Sequence, residues 1–169
     1  FFENLFFNIP PFEKPVSISA MDIEIFDDSL IARLRGNLDG NPLDGIFKKV
    51  NIKNVASTLF ISGEVDLDDF NPNFFTKSVL ARDGTVALQV NFTFPPNQTP
   101  IIRFIADLED TTFRLPSLGL IKEKKQYSNL SVDWNFGEFA NFKFKSHDYE
   151  IFGTAFFSKE RRLKKVNFT

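Results

Sequence analysis

His147 is the one histidine of the chain, and in SHDYE it stands beside Asp148 with Glu150 three residues on. An imidazole next to carboxylates can serve as a general base or a metal ligand. A lone His between acids in a turn-forming stretch is more often a solvated loop. Asp107 and Glu109 fall on one side of an extended chain, as a carboxylate pair for glycoside chemistry would. Nothing else in the sequence supports that reaction. The acid clusters Asp27-Asp28, Asp66-Asp68-Asp69 and Asp107-Glu109-Asp110 suggest calcium, which takes roughly six to eight oxygens from a set loop. DGNPLDG departs from the EF-hand pattern with Leu43 where an oxygen belongs, so turn formation explains it better. KERRLKK (159–165) could touch phosphates of nucleic acid or of lipid headgroups, but an edge strand guarded by Lys and Arg is the more ordinary reading. No G-x-S-x-G, P-loop or dinucleotide fingerprint occurs. The residues describe no enzyme and call for no cofactor and no metal.

Composition narrows the class further. The 169 residues suit one domain, 1–169, read here as a segment of a longer chain because it begins at Phe1 without an initiator Met. No run approaches the roughly 18–20 apolar residues that cross a bilayer as a helix. A net charge of −2 gives no general argument for nucleic acid. Cysteine is absent, which removes thiol catalysis, disulfides and thiolate metal sites together. The Asn-x-Ser/Thr triplets at Asn91, Asn97, Asn129 and Asn167 read as accidents of an Asn-rich chain. Phe occurs 23 times against two Tyr and one Trp. Codon bias in an AT-rich genome can supply so much Phe, but it does not place it.

Its placement follows a period of two. In TVALQVNFTF, Val86, Leu88, Val90, Phe92 and Phe94 share one side of an extended chain, and polar or small residues fill the other. Leu59, Ile61, Val65 and Leu67 repeat the pattern in STLFISGEVDL, Phe104 carries it in IIRFIADL, Leu130, Val132, Trp134 and Phe136 in LSVDWNF, and Phe142 and Phe144 in NFKFKS. VSISA, MDIEIF, LIARLRG, YEIFGTAFF and KVNF are further strands. LDGN and PLDG read as turns, as does Asp83-Gly84 between alternating runs. No stretch of ten residues shows a helical period. An all-β meander follows, with at most one or two short helices near residues 1–12 or 70–78.

The greasy face could close on a second sheet, as in a sandwich, or line a groove. Periodicity does not separate the two. A membrane barrel fits less well, since several strands fall short of the roughly 9–11 residues needed and K-F-K and R-L-R faces would require a wide water channel.

A longer phrase narrows the choice. In ADLEDTTFRLPSLGLIKEKK, Asp107, Leu108, Thr111, Phe113, Leu115, Pro116, Gly119 and Lys122 resemble the D-L-x-x-T-x-L-x-L-P-x-x-x-x-K phrase of the AsmA-like superfamily of bacterial envelope proteins, in its YhdP/TamB-type branch. ISGEVDLDDFNPNFF resembles the G-x-V-x-L-x-x-F-x-P of its repeats. The chain departs from the family at residues 121–125, where Lys-Pro and then Gly are usual. The resemblance implies a long, strongly twisted antiparallel sheet curled into an open groove (a half-pipe). It implies a periplasmic segment of a protein anchored in the inner membrane, its apolar face carrying phospholipid acyl chains between inner and outer membranes. The 16 apolar residues from Leu59 to Phe144 named above would line that groove. Its partners would be phospholipid, neighbouring groove segments and, through free strand edges, a second copy in an edge-to-edge dimer.

Overall fold

A computed structural model describes residues 5–7, 14–69, 80–116, 119–135, 139–158 and 163–168. The strands are β1 (Leu5–Phe7), β2 (Val16–Ile25), β3 (Ser29–Leu38), β4 (Asn41–Val50), β5 (Ser57–Asp66), β6 (Leu80–Phe94), β7 (Ile101–Asp107), β8 (Thr111–Leu115), β9 (Leu120–Lys122), β10 (Ser128–Trp134), β11 (Phe139–Ser146), β12 (Glu150–Phe157) and β13 (Leu163–Phe168). No α-helix occurs among the described residues. The helical turns expected near residues 1–12 and 70–78 fall largely or wholly outside them.

All pairings are antiparallel and run in chain order from β1 to β7, then through β10 to β13. β8 and β9 complete this order. β7 pairs with the second half of β6, and β8 continues along the first half, after an interruption at residues 108–110. β9 likewise runs on into β10 after residues 123–127. The whole is one meander of long strands, two of them broken at the same level. It is one open sheet, neither a sandwich of two nor a closed barrel.

Registry lays the side chains out in rows. Leu34, Gly45, Ile61, Val90, Phe104, Val132, Phe142, Gly153 and Phe168 face one another in sequence across ten strands that begin with Met21 on β2. A neighbouring row holds Ala32, Phe47, Leu59, Phe92, Ile102, Trp134, Ala140 and Ala155. Small residues lie beside large ones, and the sheet bends over them. Phe142 reaches Phe168 across Gly153, with ring centroids 5.9 Å apart, and Trp134 reaches Phe157 on the second strand along at 5.4 Å. Contacts that skip a strand require a concave face. The convex face carries ion pairs beside exposed Ile46, Ile101, Phe139 and Phe152: Arg103 pairs with Asp133 at 2.7 Å, Lys143 with Glu150 at 2.5 Å, and Arg33 with Glu24.

Three sequence expectations need correction. VSISA and MDIEIF are one strand, β2, with a bulge between Ile18 and Ala20. One extra residue flips the facing, which is why the apolar set changes from Val16 and Ile18 to Met21, Ile23 and Ile25. Asp39-Gly40 is the two-residue turn expected of LDGN, both residues having positive φ (50° and 92°). PLDG, by contrast, lies within β4. Asp83-Gly84 is no hairpin either. β6 runs straight through it, with a register shift just before, between Leu80 and Asp83; Gly84, at φ 110°, pairs with Thr111, where a Cβ would stand 2.1 Å from the carbonyl oxygen of Asp110. Asp-Gly signals positive φ, and a close approach within a sheet uses that as well as a turn does.

Candidate functional site

The concave face is the one extensive candidate. Among the described residues no group of three metal-ligating side chains converges. His147 stands in a two-residue turn closed by the Ser146 amide on the Tyr149 carbonyl oxygen (2.7 Å), its Nδ1 2.9 Å from Asp148 and its side chain 86% exposed. Asp107 spends a carboxylate oxygen on the Glu109 amide at 2.9 Å, which shapes the turn after β7. A cavity of about 550 Å³ lies beside β9, with Lys122, Tyr127, Phe144, Ser146, His147 and Asp148 in its wall. The His147–Asp148 pair borders it in the open, and the Ser146 hydroxyl accepts the Tyr149 amide at 3.1 Å.

The expected groove residues do share one face. Leu59, Ile61 and Val65 sit opposite Phe92, Val90 and Val86, while Leu88 is flanked by Gly63 and Ala106. Phe104, Val132 and Phe142 extend the Val90 row. Leu130 and Phe144 extend the Leu88 row, and Trp134 the Phe92 row. Leu67 lies just beyond β5 and is buried. Phe136 lies outside the described residues.

The centre of this face is filled. Val65, Val86 and Val90 have no exposed surface and Leu88 keeps 2%. The expected trough, with the Val86–Phe94 strand open along its length, is therefore replaced by a packed floor with accessible flanks. Bulky aliphatic side chains from adjacent strands meet there at interior density and leave no room for water. Apolar surface on the concave side remains accessible at Ile23 (49%), Ile25 (76%), Phe94 (38%) and Phe168 (51%). Sequence reading did not name the first, second and last of these as groove residues, nor Ile102 and Phe157 in the core, while Phe113 stood in the phrase ending at Lys122. The bulge in β2 hid Ile23 and Ile25, whereas the period-two pattern of KVNF already contained Phe168.

The phrase around Lys122 forms a clasp. Lys122 is 2% exposed, and its Nζ donates to the carbonyl oxygens of Glu109 (2.8 Å), Thr111 (2.8 Å) and Glu123 (2.9 Å). An ammonium has three N–H donors, and all three are satisfied. These carbonyls belong to the two interruptions, 108–110 and 123–127, and to the first residue of β8, so one side chain ties both strand breaks together. Burial pushes the Lys122 pKa below its ordinary value, opposed by the nearby carboxylates of Asp110, Glu109 and Asp107. Thr111, fully buried, donates through Oγ1 to the Leu108 carbonyl at 2.7 Å. Gly119, at φ 63°, donates its amide to the Pro116 carbonyl oxygen and closes the turn between β8 and β9, where Leu115 pairs with Leu120. Phe113 then packs edge-on against Phe144, at 6.1 Å between centroids. The phrase thus shapes both strand breaks and the β8–β9 hairpin, and seats Phe113 on Phe144.

No family model, curated protein or solved structure matches the chain.

Proposed function

We propose that the chain is a non-catalytic β-groove segment that holds phospholipid acyl chains along the accessible flanks of its concave face. In this reading it belongs to a periplasmic lipid-conduit protein anchored in the inner membrane, whose further groove segments continue the path to the outer membrane. The observation that carries it is an unclosed sheet whose concave rows are apolar without interruption from β2 to β13, whereas the other face mixes ion pairs with single apolar residues. Acyl chains gain about 0.8 kcal/mol per buried CH₂ and need only continuous apolar surface, with no directed polar groups. The compartment and the anchor rest on the resemblance of Asp107–Lys122 to the AsmA-like phrase.

A second reading has its own support. The fully buried Val65, Val86 and Val90 suit a closed-core module that binds proteins rather than lipid. Incubation with vesicles containing a fluorescent phospholipid, followed by separation of protein from vesicles, distinguishes the two. The groove reading expects labelled lipid in the protein fraction and a loss of most of it in Phe94→Asp. A protein fraction without label leaves the closed-core module standing.

A further inference from the structure

We propose that the cavity beside β9 holds the headgroup of a zwitterionic phospholipid, a phosphodiester joined to an ammonium, while the acyl chains lie on the concave face. The proposal rests on the groove reading above and adds which headgroup that groove prefers.

The cavity is a notch within the sheet. β11 ends at Ser146 and the chain turns back at Tyr149, and among the described residues no strand pairs with the side of β9 away from β8. The Gly119 amide donates to Pro116 across the β8–β9 turn. Backbone direction alternates along a strand, so Ile121 bonds toward β8 while Leu120 and Lys122 direct their amides into the notch. Its floor is apolar: Leu120 and Phe144 line it, both buried, and Phe144 belongs to the Leu88 row of the concave face. Phe142 lies two residues back along β11, roughly 7 Å away, and its ring meets that of exposed Phe168 at 5.9 Å. A lipid with its chains on that flank therefore has the notch within reach of its headgroup.

The wall carries both signs of charge. Lys122 and Lys125 stand on the β9 side, and Asp148 stands on the turn opposite. Lys122 bonds three neutral carbonyl oxygens and contacts no carboxylate among the described residues. A phosphate on this side would accept from the outward amides and from Gln126, whose Oε1 takes the Glu123 amide at 3.0 Å and leaves the side-chain nitrogen to donate. The chain has two tyrosines against 23 phenylalanines, and both tyrosines, Tyr127 and Tyr149, are in this wall and about half exposed. Electron-rich ring faces beside a carboxylate suit an ammonium. Asp107, Glu109 and Asp110 lie near Lys122 and repel a headgroup of net negative charge. A headgroup that brings its own cation meets both halves of the wall.

Calorimetric titration with dihexanoyl-phosphatidylcholine and dihexanoyl-phosphatidylglycerol, both as monomers in solution, tests this with the acyl chains held constant. Wild type should bind the choline lipid roughly fivefold more tightly, the scale of one cation–π contact. Tyr127→Leu and Tyr149→Leu, both at exposed positions, should each reduce that preference and leave the affinity for the glycerol lipid unchanged. Glycerophosphocholine, which has no acyl chains, should compete with the choline lipid, and inorganic phosphate should not. Equal affinity for the two lipids, or a preference that survives both substitutions, overturns the headgroup site and leaves the groove reading standing. Where neither lipid binds, the groove reading falls, and the headgroup site falls with it unless glycerophosphocholine binds alone and Tyr149→Leu weakens it.

Discussion

Phe142 and Phe168 meet edge to face at 5.9 Å with Gly153 between them, on the strand that separates theirs. A Cβ on residue 153 would stand 2.4 Å from the Phe142 ring and 2.5 Å from the Asn167 carbonyl oxygen. Gly153→Ala should therefore cost about 1–3 kcal/mol by overpacking, read as a lower midpoint in urea unfolding. The loss should be smaller when Gly153→Ala is made in a Phe142→Ala background if ring crowding is the cause. An unchanged loss would assign it to the backbone contact with Asn167.

Lys122→Met keeps the aliphatic stem but takes the ammonium from three carbonyl oxygens, of which those of Glu109 and Glu123 keep a donor, the Lys125 amide at 2.8 Å and the Gln126 amide at 3.4 Å. Each hydrogen bond lost from the charged group costs about 1.5–3 kcal/mol, softened where water can enter, so a loss of several kcal/mol is expected in chemical unfolding. Lys125 offers the contrast. Its Nζ pairs with Asp110 at 2.5 Å in the open, and Lys125→Met should barely move the midpoint. Equal effects of the two substitutions would refute the clasp.

Acid should weaken the fold through a small set of carboxylates. Lys124 beside Asp83, Lys125 beside Asp110 and Lys143 beside Glu150 hold these groups below their ordinary values of 3.8 for Asp and 4.5 for Glu. The unfolded chain then binds more protons than the native one between the two values, so stability rises with pH there. Their contribution is complete above the ordinary values and is lost as pH falls through the native pKa values. All three pairs are exposed, so the effect is modest and salt should screen it. The combined Asp83→Asn, Asp110→Asn and Glu150→Gln variant should show a flatter acid limb in thermal melts between about pH 5 and 2. A limb of unchanged steepness would place the acid sensitivity elsewhere.

Position along the Val86–Phe94 strand should decide what a charge does. Val90→Asp puts an unpaired carboxylate where no surface is exposed, costing several kcal/mol and unfolding a marginal domain. Phe94→Asp, at 38% exposure, should melt within a few degrees of wild type. Similar melting of both variants would show that the floor is less tightly packed than its burial implies.

Much of the fold was legible because a period of two is a local signal. The alternation in residues 85–94 and 128–134 became β6 and β10, and the meander followed from short turn-forming connections. Legibility failed where a residue type allows two backbone outcomes. Asp39-Gly40 and Asp83-Gly84 are identical pairs, yet one closes a hairpin and the other lies paired within a strand, because β8 returns beside the second. The bulge in β2 likewise shifts facing without any mark in the hydrophobic pattern beyond the change of parity. Curvature was hidden too: it depends on which small residue lies beside which ring, as Gly153 lies beside Phe142, and that is a matter of register. Lys122 stood out only within a phrase, since burial of a lysine depends on carbonyls that separate stretches of chain bring to it.

The central claim, that the concave face takes up lipid, can be tested by photolabelling with a phospholipid that carries a diazirine in its acyl chain, followed by peptide mapping of the adducts. The protein supplies its own control, because Ile46 and Ile101 on the convex side are 47% and 43% exposed, much as Ile23 and Phe94 are on the concave side. Adducts concentrated on peptides bearing Ile23, Ile25, Phe94 and Phe168 are the predicted result. Adducts spread equally over Ile46 and Ile101, or none at all, would contradict it.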